Sequence, residues 1–100
     1  MKEEPKPDPE KIDVVRAYLK SEFPKSEIDD RWEFNRDAQS FRVNHEQQQF
    51  LITVSLEFFR DYPASAIETQ LSRFRLADAM KQAGNRRVIV TTKGLRIEDQ

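Results

Sequence analysis

Residues 49–59 run Gln49-Phe50-Leu51-Ile52-Thr53-Val54-Ser55-Leu56-Glu57-Phe58-Phe59. Phe50, Ile52, Val54, Leu56 and Phe58 recur at every second position. Successive side chains of an extended chain point to opposite faces, so these five apolar groups fall on one side. Leu51, Thr53, Ser55, Glu57 and Phe59 fall on the other. The stretch predicts a strand with one face against a core.

Two weaker alternations precede it. From Gln39 to Asn44, Phe41 and Val43 alternate with Ser40 and Arg42. Around Arg31 to Asn35, Trp32 and Phe34 alternate with Arg31 and Glu33. The links are short and polar, Asn35-Arg36-Asp37-Ala38 and His45-Glu46-Gln47, so the three segments predict an antiparallel meander. Upstream, Asp8-Pro9-Glu10 has the chemistry of a helix start: a capping carboxylate, a proline at the first helical position and an acid at the positive end of the dipole. Ile12, Val15, Leu19 and Phe23 then share one helical face, and Pro24 ends the helix.

Downstream, Asp61-Tyr62-Pro63 breaks the sheet. Ser65 and Glu68 have the spacing of a capping box, and a long helix is expected from there to Gly84. Arg86 to Thr92 holds Val88-Ile89-Val90, a β-branched run suited to a strand covered on both faces. The order is α-β-β-β-α-β. It predicts an α+β two-layer sandwich, with a three-stranded antiparallel meander plus a fourth strand, and two helices on one face. The long helix acts as a crossover, so a fourth strand in the same sheet runs parallel, beside either the first or the third. The expected core is Ile12, Val15, Leu19, Trp32, Phe34, Phe41, Val43, Phe50, Ile52, Val54, Leu56, Phe58, Ile67, Leu71, Phe74, Val88 and Val90. Residues 1–7, charged and proline-rich, are expected to be a disordered tail on a single domain of residues 8–100.

The chain has 100 residues, 37% hydrophobic and 35% charged, with a net charge of −1. It contains no cysteine, which excludes disulfides, thiolate metal sites and a cysteine nucleophile within these residues. Met1-Lys2-Glu3-Glu4-Pro5-Lys6-Pro7 has no apolar run behind it, so no signal or transit peptide and no membrane association are expected. A cytoplasmic location follows as the expectation.

Charge is unevenly spread. Arg73, Arg75, Lys81, Arg86, Arg87, Lys93 and Arg96 stand against one acid, Asp78, between positions 73 and 96. Such a basic stripe is a candidate phosphate-binding surface for nucleic acid. In topology, the α-β-β-β-α order resembles the double-stranded-RNA-binding fold, which implies shape-based contact with RNA grooves. That family has a lysine-rich start to its second helix, and here the start is Ala64-Ser65-Ala66-Ile67-Glu68, without a base.

A second feature concerns the long helix. On a helical wheel Ile67, Leu71 and Phe74 cluster, whereas Leu76, Met80 and Ala83 lie nearly opposite. One stripe faces the sheet, and the other faces either the first helix or a second protein chain. Leu76 and Met80 are therefore candidate interface residues. Leu51 and Phe59 add apolar area to the outward face of the meander, alongside Arg31, Glu33, Arg42, Asn44, Thr53, Ser55 and Glu57. The expected partner is another protein or a second copy of the chain, through the helix or a sheet edge.

Catalytic patterns are missing. His45 is the lone histidine, Ser55 lacks a glycine-flanked elbow, and the two glycines, Gly84 and Gly94, make no phosphate loop. No enzymatic activity, metal or cofactor is expected. The sequence reads as a small interaction or regulatory module, with nucleic-acid binding as the alternative.

Overall fold

The computed structural model describes residues 6–98. It is an α+β two-layer sandwich with a five-stranded mixed sheet. The expected tail at 1–7 lies mostly outside the described residues, and Pro7, which is described, is buried.

Helix α1, Pro9–Glu22, starts as its sequence dictates. Asp8 caps it by accepting from the Glu10 amide at 3.0 Å, and Pro9 occupies the first turn. The strands are β1, Glu27–Glu33; β2, Ala38–His45; β3, Gln48–Ser55; β4, Arg87–Thr91; and β5, Gly94–Glu98. Their spatial order is β1-β2-β3-β4-β5. The first three form the expected antiparallel meander, with Phe41 opposite Ile52 and Val43 opposite Phe50. Strand β4 lies beside β3 and parallel to it, with Ile52 against Val88 and Val54 against Val90. This resolves the open choice between first and third strand. Strand β5 was not foreseen. It pairs antiparallel with β4 through the Gly94 turn, where φ is +130°.

Helices cover one face of the sheet. Between β3 and β4 run α2, Leu56–Asp61; α3, Ala64–Phe74; and α4, Leu76–Ala83. The core joins Val15 and Leu19 of α1 and Phe23 at its C-terminal cap to Phe41, Val43, Phe50, Ile52, Val54, Val88 and Val90 of the sheet, and to Ile67, Leu71, Leu76 and Met80 above it. Each large side chain buried there contributes about 1.5–3 kcal/mol.

Four expectations are corrected. Strand β3 ends at Ser55, which caps α2 by accepting from the Phe58 amide at 3.1 Å, so the apparent alternation through Phe58 crosses a strand-to-helix junction. Phe59, expected on the outward face, is buried edge-on against Phe58. The Ser65–Glu68 capping box is not made. Helix α3 begins directly after Pro63, which puts Ser65 inside the first turn.

The fourth correction concerns the long helix, which is two helices. Arg75 takes the left-handed conformation, φ 58° and ψ 47°, and its amide turns back to the Leu71 and Ser72 carbonyls. That one residue reorients the chain, so Leu76 and Met80 are buried in the same core as Ile67 and Leu71. The two stripes on the wheel face one interior, and Leu76 and Met80 are not surface residues. Helix α4 has no side-chain cap of its own. The Tyr18 hydroxyl of α1 accepts from the Ala77 amide at 3.2 Å and fills that role from across the core. Burial pushes the Tyr18 hydroxyl above its usual value, against the opposing pull of that hydrogen bond.

Ile52→Ala is expected to lower stability by about 2–5 kcal/mol, and Phe74→Ala by less, because Phe74 is only half-buried. Arg75→Gly relieves the left-handed residue and raises stability by about 0.5–1 kcal/mol, whereas Arg75→Ala does not. Urea titration of the variants measures both.

Candidate functional site

The face of the sheet away from the helices is covered by its own side chains. By register it carries Glu27, Asp29, Arg31 and Glu33 of β1; Ala38, Ser40, Arg42 and Asn44 of β2; Gln49, Leu51, Thr53 and Ser55 of β3; and Arg87, Ile89, Arg96 and Glu98 of β4 and β5. Arg31, Glu33, Arg42, Asn44, Thr53 and Ser55 thus share the outward face that the alternation assigned them, and Glu57 leaves it with α2.

Arg87 lies across this face. Its Nη1 donates to Thr53 Oγ1 at 2.6 Å, Ser40 Oγ at 3.1 Å and Glu33 Oε2 at 3.1 Å, and its Nε lies 3.5 Å from Glu98 Oε1. Ser40 also donates to Glu33 and lies 3.2 Å from Thr53. The network takes one residue from each of the five strands. Arg36 closes it, forking onto both Glu98 oxygens at 3.2 and 3.3 Å with its Nε 3.6 Å from Glu33 Oε1. Such planar, bidentate pairing fixes orientation as well as charge. On this face, which no helix of the described residues covers, Thr53 is 2% and Ile89 9% exposed.

The Ser40 hydroxyl, with the charges of Arg87 and Arg36, holds the Glu33 carboxyl below its ordinary value, against the opposing effect of burial. Beside Glu33 the chain makes a single 3-10 turn, Phe34–Arg36, and Asp37 then takes the left-handed conformation at φ 49°. The corner is tied down three ways: Arg36 to Glu98, the Asp37 amide to the Phe34 carbonyl, and the Leu56 amide to the Asp37 carbonyl at 3.0 Å. Phe34 stands out from it 64% exposed, the one exposed large hydrophobic side chain among the described residues. The expectation that Phe34 is core is corrected. The turn begins one residue earlier than the alternation implied, so Phe34 is no longer in the strand. Its neighbour Trp32 keeps the helix side of β1 and is half-buried at the sheet edge.

Next to the network is an open groove of about 280 Å³, lined by Asp29, Arg31, Glu33, Ser40, Arg42, Leu51 and Arg87 among others. Arg42 lies 3.4 Å from Asp29, both well exposed, a pair that contributes little to stability. Arg31 has no ion-pair or hydrogen-bond partner among the described residues. Leu51, expected to be an outward apolar residue, forms part of the groove.

The seven residues of the basic stripe do not share a surface. Arg87 and Arg96 are on the open face. Arg73, Arg75 and Lys81 are in the helix layer on the other side, with Arg75 3.5 Å from Asp78 and the Lys81 ammonium 5.6 Å from the Phe23 ring centre. Arg86 precedes β4 and Lys93 is in the turn after it. Linear proximity in sequence placed them together, but alternation and the helix-to-strand reversal separate them. His45, expected in a turn, ends β2 and packs edge-on against Phe23 at 5.7 Å.

Asp29 and Asp30 diverge as adjacent strand residues must. Asp30 takes the helix side, ion-paired to Arg16 and accepting from Gln39 at 2.9 Å. Among the described residues no cluster of three or more His, Asp or Glu could hold a metal, and no helix is long and apolar enough to cross a membrane.

The outward alternation marked Glu33, Arg42 and Thr53 as neighbours. It carried no signal for Arg87, which reaches Glu33 and Thr53 from a strand more than thirty residues later. No protein-family model, curated protein or solved structure matches the chain.

Glu33→Gln is expected to destabilise the fold at neutral pH by about 1–2 kcal/mol through loss of charge-assisted bonds. The folded value of Glu33 is depressed, so its contribution is complete above the unfolded value of about 4.3 and is lost as pH falls through the folded one. The gap between parent and variant therefore closes below about pH 4, as read by thermal melts across pH.

Proposed function

We propose that the chain is a non-enzymatic protein-binding module that grips a partner protein through Phe34 and the adjoining groove. The carrying observation is Phe34, an aromatic ring left 64% exposed on a corner fastened by Arg36, Asp37 and Leu56. Aromatic anchors dominate the energetics of protein interfaces. An anchor already held in place loses little conformational freedom on binding. The groove supplies the polar rim such an anchor needs, with Arg31, Arg42 and Asp29 around the apolar edge of Leu51. The fitting partner is a protein segment with an apolar cap for Phe34 and an acidic side chain for Arg31.

Two further considerations support this reading. Glu33 is the best-connected carboxylate on this face, and its bonds favour the ionised form, which suits a structural clamp better than proton transfer. A nucleic-acid backbone is best met by contiguous cations, whereas here the cations divide between the open face and the helix layer. The absence of cysteine suits a reducing compartment, and the cytoplasm is the proposed site of action.

Phe34→Ala is expected to change stability by less than about 0.5 kcal/mol, because the ring is exposed. With a photo-crosslinking phenylalanine analogue at position 34, illumination in native extract is expected to give a discrete protein adduct. Excess parent protein competes it away and the Phe34→Ala variant does not. The same analogue at exposed Lys25 gives none. Identical adducts from both positions, no adduct at all, or adducts removed by nuclease would overturn the proposal.

A further inference from the structure

We infer that the chain forms a two-fold homodimer in which β1 pairs antiparallel with β1 of a second copy. Among the described residues the sheet order ends at β1, so one flank of Glu27–Glu33 has no described strand beside it. These seven residues contain no proline, and every outward-facing amide and carbonyl is able to join a ladder.

A two-fold axis through Asp30 makes the strand sequence self-complementary. On the open face Asp29 meets the partner's Arg31, and Arg31 meets the partner's Asp29. On the helix side Ile28 meets the partner's Trp32, and Trp32 the partner's Ile28. Isologous contacts of this kind repeat each favourable pair twice.

Three observations on the single chain call for these partners. Arg31 has no ion-pair or hydrogen-bond partner among the described residues, and the Asp29 side chain is 65% exposed. Ile28 and Trp32 are half-buried on the helix side of the edge. Between α1 and that edge runs a groove of about 440 Å³, lined by Asp13, Arg16, Ala17, Lys20 and Ile28. It lies where the partner's Trp32, opposite Ile28, projects.

The like charges on the axis are already countered. Each Asp30 is ion-paired to its own Arg16 and hydrogen-bonded to its own Gln39. At the ends of the ladder Glu27 meets the partner's Glu33, whose charge is countered by Arg87 and Arg36. The other edge is less suited. Strand β5 has five residues, and its own two-fold pairing sets Arg96 directly opposite the partner's Arg96. The dimer draws on Arg31 and Asp29 at the groove rim, but it leaves Phe34 outside the ladder and forms without any other protein, so its mass reading and the Phe34 adduct fail separately.

Sedimentation velocity and light scattering on the full chain test it. The mass is expected to climb with concentration from 11.8 kDa toward twice that value. Arg31→Asp or Asp29→Arg alone sets like charges across the ladder and weakens the dimer about tenfold or more. The charge swap Asp29→Arg with Arg31→Asp restores it. A second readout holds even if a charge variant folds poorly. The chain has no cysteine, and paired positions on antiparallel strands are within disulfide reach. Asp30→Cys is therefore expected to oxidise to a covalent dimer faster than Arg31→Cys or Arg96→Cys. A mass that stays at the monomer value to about 1 mM, a dimer indifferent to Arg31→Asp, or fastest oxidation at Arg96→Cys overturns the inference.

Discussion

A sheet with helices on one side must cover its other side with what the strands carry. Here that burden falls on the Arg87 guanidinium. It spans from Thr53 and Ser40 to Glu33 in one direction and to Glu98 in the other, and Arg36 closes the ring. Thr53 and Ile89 are buried on this face, and Thr53 is bonded directly to the guanidinium. Networks of this kind add little net stability when compared with well-packed apolar groups. Their value is orientation: a bidentate fork has one good geometry, and five strands share it. The corner that holds Phe34 depends on the same network, since Arg36 is anchored by Glu98, which is itself anchored beside Arg87.

The helical layer is solved by different means. Its sequence has two apolar stripes that no straight helix could bury against one sheet. A single left-handed residue, Arg75, reorients the chain and brings both stripes inward. The new helix start it creates has bare amides, and Tyr18 of α1 meets one of them. The break, the packing of α1 and the cap of α4 are thus one arrangement. It also joins the segment after β3 to the first helix of the chain, so the crossover is fixed before β4 returns parallel to β3.

Both faces are therefore positioned from far along the chain, and this explains which parts of the site were legible. The outward set on β1, β2 and β3 followed from alternation alone, because a strand's period is two whatever it packs against. Arg87 was visible only as one of seven basic residues close in sequence. The strand reversal that sends Arg87 and Arg96 to the open face, and leaves Arg73, Arg75 and Lys81 behind the sheet, is a property of the fold. Phe34 was misassigned for a local reason: an alternating pattern does not show where the strand stops, and the turn took it.

The class of structure, the capped first helix, the three-stranded meander with its inward and outward sets, and most of the core were already written in the order of residues. These rest on periodicity and on cap and turn chemistry, which act over a few residues. The tertiary structure alone decided the end of β3 at Ser55, the break at Arg75, the place of β4, the existence of β5, and the burial of Leu76, Met80 and Phe59. In each case short-range preference was nearly balanced, and the outcome was set by which apolar surface could be covered at once by groups distant in the chain.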